Sequence, residues 1–137
     1  MDEFSPETPD RLEANKNLVR RYFEMWNTGD AAAADSLLAG TYVDHALPAV
    51  VGPAAVRALV PRFRAQNPDA RMILESETAE ADRVSVRLAI VHVRDGRELV
   101  ARGTVSFRIG GDRLVEQWSE YPGPIGVTGF PEPSTAR

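Results

Sequence analysis

The apolar residues of this chain change period once, near residue 67, and that switch constrains the fold more than any other feature. Before it, Leu12, Leu18, Val19, Tyr22, Phe23, Met25 and Trp26 recur at helical spacing, as do Val56, Leu59, Val60 and Phe63. After it, Arg71–Glu77, Arg83–Val93, Glu98–Ile109 and Leu114–Tyr121 have β-type composition and partly alternate. Helices gathered in the first half and strands in the second specify an α+β fold rather than alternating βαβ units.

Local signals divide the two halves. Thr8-Pro9 reads as a helix start, with the hydroxyl as N-cap and proline in the first turn. Gly29 ends that helix, and Asp30 is expected to cap a short second one through AAAADSLLA. Thr41-Tyr-Val-Asp-His reads as a short strand, and Gly52-Pro53 opens a third helix. Pro61 lies inside that helix and cannot donate to the Arg57 carbonyl, so a kink or break is expected there. Asn67-Pro68-Asp69 is a stop. Asp95-Gly96 and Gly110-Gly111-Asp112 mark tight hairpins. The boundaries that follow are a disordered segment over residues 1–8, a domain over 9–121 and a Pro/Gly-rich tail over 122–137.

Charge and composition exclude several function classes. A net charge of -4 argues against sequence-independent nucleic-acid binding, and the 15 arginines and Lys16 are scattered. The absence of cysteine rules out disulfides, thiolate catalysis and cysteine metal sites. The two histidines form no metal-ligand spacing with carboxylates, so no metal and no cofactor are expected. No apolar run approaches the roughly 20 residues of a membrane span. The opening MDEFSPETPD has no apolar signal segment, and a cytoplasmic location with no membrane partner is the expectation.

The stretch Asn15–His45 brings Tyr22, Trp26, Asp44 and His45 onto two adjacent elements, four groups suited to a small-molecule pocket. A tyrosine can donate to a developing oxyanion, and a histidine can carry a proton near neutral pH. On the fourth strand segment, Ala101, Gly103, Val105, Phe107 and Ile109 share an apolar side. His92 shares a side with Val84, Val86, Leu88 and Ile90, either as a second proton carrier in the cavity or as an edge residue near the hairpin.

The pieces NKNLVRRYFEMWNTGD, TYVDH, VGPAAVRALV, NPDARMILE, DRVSVR and FRIGGDRLVEQW, in that order, resemble the SnoaL-like polyketide cyclases of the nuclear-transport-factor-2-like superfamily. The resemblance covers roughly residues 14–121. It implies a cone-shaped α+β barrel, with three N-terminal helices packed on a curved antiparallel sheet around an apolar pocket, and frequent homodimers. It also implies site residues. Compared with ketosteroid isomerase of the same superfamily, Tyr22 falls at the oxyanion-donating tyrosine and His45 at the proton-abstracting carboxylate. Val105 stands where a second acidic donor would be, and where the founding cyclase has a histidine. Ser119 stands where that cyclase has its catalytic aspartate. The resemblance turns Val115, Gln117, Ser119 and Tyr121 inward and Glu116, Trp118 and Glu120 outward, with Trp118 near a dimer contact.

The combined reading is a cofactor-free cyclase or isomerase for a hydrophobic, oxygenated small molecule such as a polyketide or other secondary metabolite. His45 and Tyr22 would carry the chemistry. Trp26, Val105, Phe107, Gln117, Ser119 and Tyr121 would bind substrate. A pocket that only folds a reactive substrate into shape is a variant of this reading. A non-catalytic small-molecule carrier and a dimeric assembly module are the alternatives.

Overall fold

The computed structural model describes residues 8–47 and 50–123. The expected disorder of residues 1–7 and the tail from residue 124 lie outside the described residues. Helix α1 spans Pro9–Thr28. The Thr8 side chain accepts the Arg11 amide at 3.3 Å, and Gly29 closes the helix in the left-handed region at φ 84°. Asp30 makes no capping bond with its side chain. The expected short helix is a 3-10 turn, Ala31–Ala33, followed by α2, Ala34–Leu37. Strand β1 then begins at Leu38 and runs to Asp44, starting earlier than expected.

Helix α3, Gly52–Gln66, runs unbroken through Pro61. Arg57 and Pro61 both face solvent, so water can satisfy the carbonyl that the proline leaves unpaired. Four strands follow: β2 Arg71–Glu80, β3 Arg83–Arg94, β4 Arg97–Gly110 and β5 Arg113–Glu120. Both predicted hairpins form. Asp95 and Gly96 have φ of 54° and 75°, and Gly111 and Asp112 have 59° and 63°. Two left-handed residues in succession match the twist of the flanking strands.

Strands β2 to β5 form an antiparallel meander, and β1 joins its far edge parallel to β5, giving the order β1-β5-β4-β3-β2. The single parallel pairing makes the sheet mixed. It arises because the chain leaves β1 through α3 and re-enters the sheet at the opposite edge. That crossover lays the helices over one sheet face.

The core sits between those layers. Val19, Tyr22, Phe23 and Trp26 of α1 and Val56, Val60 and Phe63 of α3 meet Val84, Val86, Leu88 and Ile90 of β3 and Val105, Phe107 and Ile109 of β4. Asn27 fastens the end of α1 to the edge strand β2. Its Nδ2 donates to the Met72 carbonyl at 2.8 Å, and its Oδ1 accepts the Met72 amide at 2.7 Å. The Asn27 side-chain amide thus stands in for a missing neighbouring strand.

Candidate functional site

The site is built where β1 and β5 run side by side beneath α1. In β1 the side-chain period of two turns Tyr42 and Asp44 to the helix side, where they are 0% and 5% exposed. The pairing partner of Asp44 across the ladder is Gln117, itself buried. A chain of polar groups links the elements. The Tyr22 and Tyr42 hydroxyls lie 3.4 Å apart. Tyr42 donates to Gln117 Oε1 at 2.5 Å, and Gln117 Nε2 donates to Ser119 Oγ at 3.4 Å.

Apolar rings surround that chain. Phe107 lies edge-on to Tyr22 at 5.2 Å, and Trp26 meets Tyr22 at 6.3 Å and Phe63 at 5.4 Å. Val105 and Phe107 are fully enclosed beneath, paired with Ser119 and Gln117 across the β4–β5 ladder. Tyr121 continues from β5 and lies against Gly103, where a Cβ would sit 2.4 Å from its ring. Glycine at residue 103 is what lets this ring cross β4.

Electrostatics single out Asp44. Burial pushes its carboxyl up to about 6, against the lowering pull of the Ala46 and Leu47 amides and of His45. Its Oδ1 accepts the Ala46 amide at 2.9 Å. Burial also raises the Tyr22, Tyr42 and Tyr121 phenols, and the negative charge of Asp44 adds to all three shifts. Hydrogen bonds from Tyr42 and Trp26 pull Tyr22 back in part. The three phenols therefore stay protonated, and the carboxyl that acts on them is itself moved toward neutrality by burial.

His45 does not join them. Its backbone amide pairs with the Gln117 carbonyl at 2.8 Å, which sends its ring to the other sheet face. There Nε2 meets Glu116 Oε2 at 3.0 Å, and the ring stacks on Trp118 at 5.1 Å. Arg108 bonds the same Glu116 at 2.6 Å, and Arg83 covers the Trp118 ring at 4.7 Å. The expected meeting of His45 and Tyr22 in one cavity is thus corrected: a sheet stands between them. Asp44, one residue earlier, supplies the inward group. The signal was present in the strand period, since Tyr42 and Asp44 must share a face and His45 must take the opposite one.

A second correction concerns β5. The ladder slips between Arg108 and Ile109, so Leu114 instead of Val115 enters the core. Gln117 and Ser119 keep the expected inward direction, and Glu116 and Trp118 the outward one. Among the described residues, no group of three or more His, Cys, Asp or Glu could hold a metal ion, and no helix is long and apolar enough to cross a membrane.

A family model described as a SnoaL-like domain matches residues 19–117. No curated protein matches the sequence. Solved structures share the fold at low identity. A protein described as a candidate polyketide cyclase from Bacillus cereus ATCC 10987 superposes with a TM-score of 0.74 at 16% identity, over 84% of this chain and 78% of that one. TsrD from Streptomyces laurentii gives 0.71 at 21% identity, over 80% of this chain and 89% of that one. A SnoaL-like polyketide cyclase from Agrobacterium tumefaciens strain C58 gives 0.68 at 16% identity, over 78% and 90%.

Proposed function

This chain belongs to the SnoaL-like domain family, and from that premise we propose that it is a cofactor-free cyclase or isomerase acting on a hydrophobic, oxygenated small molecule, with Asp44 as the proton carrier. The observation that carries the proposal is the Asp44 carboxyl, buried on the helix side of β1 with Tyr42, raised to about 6 by that burial and within electrostatic reach of Tyr22, Tyr42 and Tyr121. In this reading the Asp44 carboxylate removes a proton from carbon next to a substrate carbonyl. The electron pair moves onto the carbonyl oxygen, which accepts a hydrogen bond from a tyrosine. Protonated Asp44 then returns the proton to a different atom, or the enolate carbon attacks a second carbonyl to close a ring, and the alkoxide left on that carbonyl's oxygen takes the proton from Asp44. The Tyr22 proton is the more available donor, because that of Tyr42 is engaged by Gln117 at 2.5 Å. Trp26, Val105, Phe107, Gln117, Ser119 and Tyr121 shape the apolar and polar walls. The variant reading, a binding pocket without acid–base chemistry, is favoured by the enclosed Val105 and Phe107 beneath the hydroxyl chain.

The test does not need the natural substrate. Exchange of the α-proton into D2O is followed by NMR for a panel of aryl 1,3-diketones. Wild-type protein should accelerate exchange, and Asp44→Asn should lose about 10²–10⁴ of that acceleration. Equal exchange by Asp44→Asn and wild type would leave the template or binding reading as the account.

A homodimer through the outer sheet face is part of the proposal. Trp118 is already covered there by His45 and Arg83, so the contact should centre on Ile73, Val93 and Val100, which are 41%, 47% and 44% exposed. Light scattering should give twice the chain mass; a monomeric mass at micromolar concentration ends this part.

A further inference from the structure

Gly103 shows where the inner face of the sheet is divided. The strand period gives it the side-chain direction of Ala101, Val105 and Phe107, toward the helices. A Cβ built there would lie 2.7 Å from Tyr121 Cε1, closer still to Cδ1, and 2.5 Å from the Glu120 carbonyl oxygen. The Tyr121 ring therefore fills the space that a side chain at residue 103 would take. It leaves the end of β5, crosses β4 on the helix side and packs against the hydrophobic core.

That crossing sets one end of the Asp44 site. Ser119 lies between Gln117 and Tyr121 on β5 and is only half-buried, and its small side chain leaves a recess between two large neighbours. The Gln117 end of the recess is closed. Tyr42 and Leu114 are fully buried there, and the Tyr22 and Phe23 rings cover Phe107 at 5.2 and 5.8 Å. The Tyr121 ring closes the other end. Gln117, the partner of Asp44, is four residues from Tyr121. At about 3.3 Å per residue that is roughly 13 Å between the two backbone positions, and the side chains at both ends shorten it further.

Beyond Tyr121 the inner face of β4 continues over Gly103 and Ala101 to Leu99, which is 39% exposed. Small and aliphatic residues line that track, so the Tyr121 ring is what separates it from the recess over Ser119. We propose that Tyr121 sets the substrate length at the Asp44 site. With the reacting carbon at Asp44, the recess admits compounds of one ring or two fused rings and excludes longer linear ones. The inference rests on the reading of Asp44 as the reacting end, and it adds a substrate size that the chemistry alone does not give.

The full chain is titrated with aryl 1,3-diketones bearing a phenyl, a naphthyl or a linear anthracenyl group. Binding is read by quenching of tryptophan fluorescence, and proton exchange into D2O by NMR on the same compounds. Wild type should bind the anthracenyl compound about tenfold or more weakly than the naphthyl one, as expected when a ligand is forced against a packed ring. Tyr121→Ala should bring the two within about twofold. Tyr121→Phe, which keeps the ring and loses the hydroxyl, should keep the wild-type order, as a role for the hydroxyl would not. Circular dichroism checks folding, and Tyr121→Leu replaces the alanine variant if that one unfolds. The predicted binding order without any exchange would count against Asp44 as a base and still support the length limit. The proposal is overturned if wild type binds none of the three, if it binds the anthracenyl compound as well as the naphthyl one, or if the folded variant lacking the ring keeps the exclusion.

Discussion

Two carboxyl groups sit on opposite faces of the β1–β5 pair, and their surroundings push them in opposite directions. On the helix side, Asp44 is buried within electrostatic reach of Tyr22, Tyr42 and Tyr121, and desolvation raises it to about 6. On the outer side, Glu116 is held below the usual carboxylate range by hydrogen bonds from Arg108 and His45. Both faces carry aromatic rings beside an acid. What separates them is charged partners and water, present outside and largely absent inside. A paired, exposed carboxylate is a poor proton acceptor near neutrality, whereas a buried one without a cationic partner is a good one.

The largest way to break this contrast is to exchange the faces' roles by mutation. Asp44→Asn should abolish the proton-exchange activity, by about 10²–10⁴, while His45→Ala and Glu116→Gln should leave it unchanged. Loss of activity in His45→Ala with retention in Asp44→Asn would reverse the assignment. With Asp44 as base, activity should rise with pH through about 6 and then level off.

The same ionisation acts on stability with the opposite sign. The folded carboxyl is raised from 3.8 to about 6, so folding favours the protonated form. That advantage is complete below pH 3.8 and is lost as pH rises through about 6. The difference corresponds to about 3 kcal/mol. Asp44→Asn, which keeps an acceptor for the Ala46 amide, should therefore be more stable than wild type at pH 7 by up to about 3 kcal/mol, the gain vanishing near pH 4. Urea unfolding at the two pH values measures it. A variant less stable at pH 7 would mean that the carboxylate is well solvated.

A smaller effect sharpens the inner face. Tyr42→Phe removes the donor to Gln117 Oε1 and should destabilise the fold by about 1–3 kcal/mol, because that oxygen is left buried without its donor. The smallest effect belongs outside. His45→Ala frees one face of Trp118 and one hydrogen bond of Glu116, which keeps Arg108, so its melting temperature should stay close to that of wild type.

Much of the architecture was legible in the sequence because it rests on local rules. The Thr8-Pro9 start, the Gly29 stop and the two hairpins each depend on residues within a few positions, whose backbone preferences act before any tertiary contact forms. Pro61 read as a break because the sequence does not say that it faces water. The Val115 slip was invisible for a related reason. A bulge is set by how β5 meets the turn at Gly111-Asp112, and strict alternation cannot register an extra residue. The site was half legible. Tyr22 and Gln117 came inward as expected, whereas His45, which the resemblance matched to a proton carrier, has its ring beside Glu116 and Trp118 on the outer face, and Asp44, one position earlier, faces the helices.

The sequence by itself determined the order of elements, the helix and hairpin ends, and the rule that Asp44 and His45 take opposite faces, because these follow from short-range backbone geometry and a strand period of two. Only the tertiary structure decided which face was which. The β1–β5 pairing and the helices carried over it bury one side of the sheet, and that burial, a property of distant residues brought together, raises Asp44 while leaving His45 beside Glu116 in contact with water.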